Sequence, residues 1–374
     1  EAEQGRALAQ FATFCALAEL HGRDWRGWPE DLRRPEGAAV ARFATEHARR
    51  IRFHTWVQWQ LSEQLAEAAG EIGLVQDLPV GLDPAGADAW RWQEVVANGV
   101  SVGAPPDEYN PAGQDWGLAP FDPHRLRGAG YQPFIDTIRA TARHAAGLRI
   151  DHVMGLFRLY WIPRGMTAAD GAFVRSRADD LLAILALESR RARAFVVGED
   201  LGTVEAGVRE KMAEHRMLSF RALLFEPDPP ALPELALATI STHDLPTVAG
   251  LWTGADLAQA RTAGVPQNDE GMQRLRQGLA RAAGVRAQAE LPEVIERLHV
   301  SLGGAPSRVR LATLDDALAV EERPNLPGAP ADWPNWGMAL PVPLEEIEAH
   351  AGVRTIAAAL AHGRRRANRG GSSP

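Results

Sequence analysis

The chain has 374 residues, 45% of them hydrophobic, a net charge of −8 and a single cysteine, Cys15. That length and apolar content suit one large α/β domain with additions, or two domains. The negative balance argues against non-specific nucleic-acid binding. One cysteine excludes an internal disulfide framework and fits a reducing, cytoplasmic setting, and no apolar run reaches the roughly 18 residues that a membrane span needs.

In chain order, residues 7–20 have helical apolar spacing, and residues 38–70 read as one long helix or two. "EIGLVQDLPVG" (71–81) reads as a short buried strand with Asp77 at its tip. Residues 82–130 are rich in Gly, Pro and Asp and are expected to form a long loop, of the kind that is functional or disordered in a compact domain. A rhythm follows. Helices are expected at 132–145, 177–193 and 204–215, strands at 147–152, 194–202, 219–226 and 235–247, two helical stretches at 268–302, and a last strand at 307–318. "GRRRANRGGSSP" (363–374) is expected to be a disordered tail.

Alternating strands and helices imply a parallel sheet. The strands share a second property: each is apolar and then turns acidic, at Asp77, Asp151, Glu199, Asp244 and Asp315. That pattern favours a (β/α)8 TIM barrel with its site at the strand tops over a doubly wound sheet, and no Gly-rich phosphate loop supports the latter. Only six strands are recognisable, so the first two are expected upstream and the chain is expected to be a fragment or a truncated variant. The expected layout is a helical segment at 1–70, a catalytic barrel at 71–362 with a substrate loop at 82–130 and a helical insertion at 255–302, and the tail at 363–374.

Asp151, Glu199 and Asp244 then converge on one pocket. Clustered carboxylates serve either a divalent metal or glycosidic bond cleavage. Arg149, two residues before Asp151, is expected on the same side of the strand, keeping that carboxylate ionised as a nucleophile requires. Glu199 follows apolar and small residues in "VVGEDLG", where desolvation is expected to raise its pKa as an acid catalyst needs. His243 is a candidate for binding sugar hydroxyls. Asp107, Gln114 and Trp116, in "GAPPDEYNPAGQDWG", are candidates for hydrogen-bonding and stacking on sugar rings, against the plain alternative of a surface loop. "WPNW" (333–336) has the same ambiguity. A metal site using His152, His243 and the acids lacks helix spacing such as HExxH and ranks low. Lys211 is the only lysine, so Schiff-base chemistry has one candidate, expected on a helix surface. Eleven Trp against three Tyr suggest that some indoles line a groove.

At this point six segments, "LRIDHVMGL", "VVGEDLGTV", "THDLP", "VQDLPVGLDPAGADAW", "GAPPDEYNPAGQDWG" and "PNLPGAPADWPNW", resemble those of the 4-α-glucanotransferases (amylomaltases or disproportionating enzymes, glycoside hydrolase family 77), relatives of the α-amylases, and of their actinobacterial type. The resemblance runs from about residue 8 to 360. It implies Asp151 as nucleophile, Glu199 as acid and then base, and Asp244 as stabiliser of the distorted sugar. It implies Arg149 as the orienter of Asp151, and His152 and His243 on sugar hydroxyls. Asp107, Gln114, Trp116 and Asn335 would bind glucose units, and Asp77 joins them as a candidate. It implies no metal or organic cofactor. The expected reaction moves α-1,4-glucan segments between maltooligosaccharides with retention, and the two catalytic carboxyl groups are expected about 5–5.5 Å apart. A plain α-glucan hydrolase and a non-catalytic carbohydrate-binding protein are the alternatives.

Overall fold

The computed structural model describes residues 5–106, 112–266, 268–330 and 332–370. The chain divides into two compact units, the first made of 1–199 and 204–211, the second of 200–203 and 212–374.

The first unit opens on helices α1 (Gly5–His21), α2 (Ala38–Glu46) and α3 (Ala48–Ile72), so the 38–70 stretch is two helices with a break at His47. Leu8, Ala12, Ala16 and Leu17 recur at helical spacing on α1 and are buried. Their core is aromatic. Phe14 packs between Trp28 and Trp90 at centroid distances of 5.2 and 5.7 Å, and both indoles are fully buried. Those two tryptophans therefore serve packing, not a groove.

Strand β1 (Val75–Leu78) follows, then α4 (Ala87–Arg91), β2 (Val100–Ala104), β3 (Gln114–Leu118), α5 (Pro123–Gly128), α6 (Gln132–Ala142), β4 (Gly147–Ile150), β5 (Arg158–Pro163), β6 (Ala172–Arg175), α7 (Ala178–Ala192) and β7 (Phe195–Gly198). The expected 82–130 loop is thus corrected: it carries two helices and two strands. Strands β3, β2, β5 and β6, none of them expected from the sequence, form an antiparallel sheet in that order. Close approach explains Gly103 in β2. A Cβ there would lie 1.9 Å from the Gln114 oxygen and 2.7 Å from Ile162 Cδ1, where the β2–β3 register shifts.

Helix α8 (Val208–Glu214) leads into the second unit, with β8 (Leu218–Ala222), β9 (Ala236–Thr239), α9 (Val248–Thr253), α10 (Ala255–Thr262), α11 (Asp269–Ala283), α12 (Leu291–Gly303), β10 (Val309–Leu311), α13 (Leu314–Ala317), α14 (Leu344–Ile347) and α15 (Ala351–Gly370). Its core joins Leu223, Ile240, Trp252, Leu279, Leu298 and Leu302 with Ile356 of α15. Helix α15 runs through Gly370, so 363–370 are helical where a disordered tail was expected. The arginines of that segment, Arg364, Arg365, Arg366 and Arg369, favour continuation of the helix.

The six expected parallel strands are all found, three in each unit: β1, β4 and β7, then β8, β9 and β10. With helices between them they give the α/β alternation of the barrel class. Within the first unit, β4 pairs with β1 and β7, setting Asp77 opposite Arg149 and Ile150 opposite Gly198. Within the second, β9 pairs with β8 and β10.

Candidate active site

The register of β1, β4 and β7 positions two of the candidate carboxylates. Strand β4 ends at Ile150, and Asp151 is the next residue, its N–H donating to Leu78 O at 3.0 Å. Strand β7 ends at Gly198, and Glu199 is the next residue, its N–H donating to Ile150 O at 2.9 Å. Asp151 and Glu199 therefore leave neighbouring strands side by side, at the lateral spacing of about 4.8 Å that a sheet imposes.

Arg149 fixes the nucleophile candidate. Its Nη2 donates to Asp151 Oδ1 at 2.8 Å, and its Nη1 donates to both Asp77 oxygens at 2.7 Å. Burial pulls this guanidinium down, but the Asp151 and Asp77 carboxylates more than offset that and hold it above its ordinary value. Asp77 thus steadies Arg149, a partner that the sequence analysis did not assign to it.

His152 follows Asp151 in a left-handed turn, with φ 44° and ψ 64°. A non-glycine residue adopts that conformation at a cost, and such residues gather at functional sites. The turn aims the His152 N–H at Glu199 Oε2, 3.0 Å away, while Val153 N–H donates to Glu199 O at 2.9 Å. Glu199 is thereby held to residues 150–153 at three points.

The His152 ring meets the Trp116 indole edge-on at 5.3 Å, and Trp116 Nε1–H donates to Gln114 Oε1 at 3.1 Å. Trp116 and Gln114 sit two residues apart on β3, on one face of the sheet. The antiparallel sheet, unexpected from the sequence, is what brings them to His152.

Burial holds the His152 imidazole down at about 4, against an ordinary 6.5. Between those values the unfolded chain takes up a proton that the folded chain does not. Stability from this group is therefore complete above about pH 6.5 and declines as pH falls toward 4. His152→Gln is expected to flatten that part of the stability curve, read as urea midpoints at pH 7, 5.5 and 4.5. A His152 NMR titration midpoint near 6.5 in the parent would contradict it.

The second unit holds the third carboxylate. Asp244 lies in the turn after β9, where Ser241 Oγ closes the loop onto Pro246 O at 2.6 Å and Thr247 caps α9 through Gly250 N–H. Asp244 Oδ2 lies 3.2 Å from His243 Nε2, and Oδ1 accepts from Asn325 Nδ2 at 2.6 Å. The Trp336 ring stands 5.1 Å from that of His243, and Trp336 is 64% exposed. Asn335, expected on a sugar, has its amide on the backbone of Leu326, accepting from the N–H at 2.9 Å and donating to the oxygen at 3.4 Å. It shapes the loop that carries Asn325.

Asp107 lies outside the described residues. Asp315 sits in the first turn of α13, and its neighbour Asp316 is the buried one, accepting from Val248 N–H at 3.0 Å. Asp200, next to Glu199, is fully buried and accepts from Phe220 N–H at 2.8 Å and from the Ser219 hydroxyl, so it is structural. Lys211 pairs with Asp179. Among the described residues no group of three or more His, Cys, Asp or Glu is arranged to hold a metal ion, and no helix is long and apolar enough to cross a membrane.

The residues missed from sequence are Asn325, Arg323, Asp256 and Trp336 in its own right. Arg323 and Asp256 are single polar residues with no local spacing to mark them. Asn325 and Trp336 lay inside the quoted "PNLPGAPADWPNW" but carried no signal that singled them out.

A family model described as 4-alpha-glucanotransferase matches residues 1–344. A Mycobacterium tuberculosis 4-alpha-glucanotransferase is 41% identical, covering 96% of this chain and 54% of that protein. A Haemophilus influenzae 4-alpha-glucanotransferase is 34% identical, covering 93% of this chain and 54% of that protein. The crystal structure of amylomaltase from Corynebacterium glutamicum superposes with a TM-score of 0.83 at 34% identity, covering 97% of this chain and 55% of that one. The chain spans about half the length of these relatives. With a family model over most of its residues and relatives this similar along nearly all of it, the chain belongs to the 4-alpha-glucanotransferase family.

Proposed function

We propose that this chain carries the catalytic residues of a 4-α-glucanotransferase, moving α-1,4-glucan segments between maltooligosaccharides with retention of configuration. The observation that carries the reading is the β4–β7 register, which sends Asp151 and Glu199 off adjacent strand ends with Arg149 on the first of them. Carboxyl groups that leave adjacent strand ends suit the retaining route, for which oxygens about 5–5.5 Å apart are expected.

Asp151 attacks the anomeric carbon while Glu199 gives its proton to the glycosidic oxygen, and the reducing-end fragment leaves as an alcohol. The sugar is then esterified to Asp151. Glu199, now a carboxylate, takes the proton of the acceptor 4-hydroxyl as that oxygen attacks the same carbon, and Asp151 departs. Asp244 contacts hydroxyls of the distorted sugar and faces the positive charge that develops at its ring. Arg149 draws negative charge onto the departing Asp151. Transfer over hydrolysis requires the acceptor to be held in a largely dry site; Trp116, on Gln114 and against His152, is placed to form one wall. The family relationship and the intact carboxylates support this over a non-catalytic role. A cytoplasmic location fits the single, partly buried Cys15.

Incubation with pure maltotriose tests the reading. Longer and shorter maltooligosaccharides are expected together from the first minutes. Glucose and maltose alone would mean hydrolysis, and an unchanged trisaccharide would overturn the assignment.

A further inference from the structure

Asp244 is held by a segment whose residues lie far from it in sequence. Asn325 Nδ2 donates to its Oδ1 at 2.6 Å, and Arg323 Nη1 reaches its backbone oxygen at 3.4 Å. The segment is itself locked. Arg323 is buried, and its Nε and Nη2 clasp the two oxygens of Asp256 at 2.6 and 2.7 Å. Asp256 is 1% exposed. Arg323 N–H donates to Gln259 Oε1 at 3.3 Å, and Trp336 N–H donates to Pro324 O at 2.8 Å. Asn335 closes the loop on Leu326.

The choice of donor matters chemically. A lysine or arginine at 325 would orient Asp244 but would also pair with its charge. An amide orients the carboxylate and leaves its negative charge available for a cationic sugar. Oδ2 faces His243, so the two oxygens have different partners and the plane of the carboxylate is defined.

We propose that Asn325 is a positioning residue for the reaction: its amide sets the angle of the Asp244 carboxylate without neutralising it, and the buried Asp256–Arg323 pair anchors the segment that carries it. This rests on the glucanotransferase reading above.

Two variants of the full chain test it, Asn325→Ala and Asn325→Asp, with two readouts. The first readout is the His243 titration by NMR, which needs no turnover. A new carboxylate beside Asp244 is expected to raise the His243 midpoint by about half a unit or more. The second is maltotriose redistribution against pH. Asn325→Ala is expected to lower kcat about tenfold, with KM within about twofold, because the Asp244 carboxylate that it orients acts on the distorted sugar more than on the bound ground state. Asn325→Asp is expected to work best at acid pH, where the introduced carboxyl keeps a proton to donate, and to lose rate as that proton leaves. A purely structural role would lower activity without reshaping the pH profile.

An unmoved His243 midpoint overturns the brace. A moved midpoint with variant rates within twofold of the parent overturns the positioning role. A moved midpoint in Asn325→Asp, beside a parent that leaves maltotriose untouched, overturns the glucanotransferase reading and the role in turnover with it, while the contact to Asp244 stands.

Discussion

Asp151→Asn is expected to reduce the rate of maltotriose redistribution by on the order of 10^4-fold or more, the scale of loss when a covalent nucleophile is removed. The substitution is nearly isosteric. The Asn oxygen can still accept from Arg149 Nη2, which the parent holds at 2.8 Å, and Arg149 keeps both bonds to Asp77. The turn into His152, fixed by backbone bonds to Leu78 and Glu199, does not depend on the lost charge. Binding of maltotriose is therefore expected to stay within a few-fold, and the melting temperature close to the parent's. What disappears is the anionic oxygen that the proposed mechanism uses to form the ester. Calorimetric binding beside single-turnover rates separates these effects: rates near the parent's would remove Asp151 as nucleophile, and lost binding would mean that the charge holds substrate instead.

Much of this site was legible because its acids sit at strand ends. The strands 147–150, apolar but for Arg149, and 195–198 stop where Asp151 and Glu199 begin, and a change from apolar to acidic is a local signal. The expectation that Arg149 faces Asp151 follows from the two-residue strand period, and the ion pair bears it out. What was not legible depends on pairing at long range. Strand β2 pairs with β3 and with β5, some sixty residues on, and the polar, glycine-bearing "QDWGL" of β3 has no clean alternation. The left-handed turn at His152 is equally silent, since no glycine or asparagine marks it. The strand expected at 147–152 stops at Ile150, and a short 3-10 turn follows at 153–156. Asn325 is harder still. It meets Asp244 across eighty-one residues, and only the fold relates them.

Breaking the Asp256–Arg323 pair is expected to be the most destabilising single change in the second unit. Both side chains are buried, at 1% and 8% side-chain exposure, and they meet through two short bonds. Removing one partner leaves a charge in a low-dielectric surround, at a cost of about 3–5 kcal/mol. At about 2.1 cal/mol/K of unfolding entropy per residue, a chain of this length loses about 4–6 °C in Tm for that cost if it melts as one. Asp256→Ala and Arg323→Met are each expected to show it by calorimetry. The double variant Asp256→Leu with Arg323→Met is expected to recover a large part, because apolar replacement of a buried pair is often near neutral. Turnover should not recover with it. The methionine has no donor for the Asp244 oxygen and no clasp to hold the Asn325 segment, so kcat stays low in a protein that is stable again. A double variant that regained both stability and rate would mean that the pair serves packing alone. One that regained stability without rate would place the ion pair in the service of Asp244, and would explain why a buried charge pair stands where leucine and methionine would fold as well.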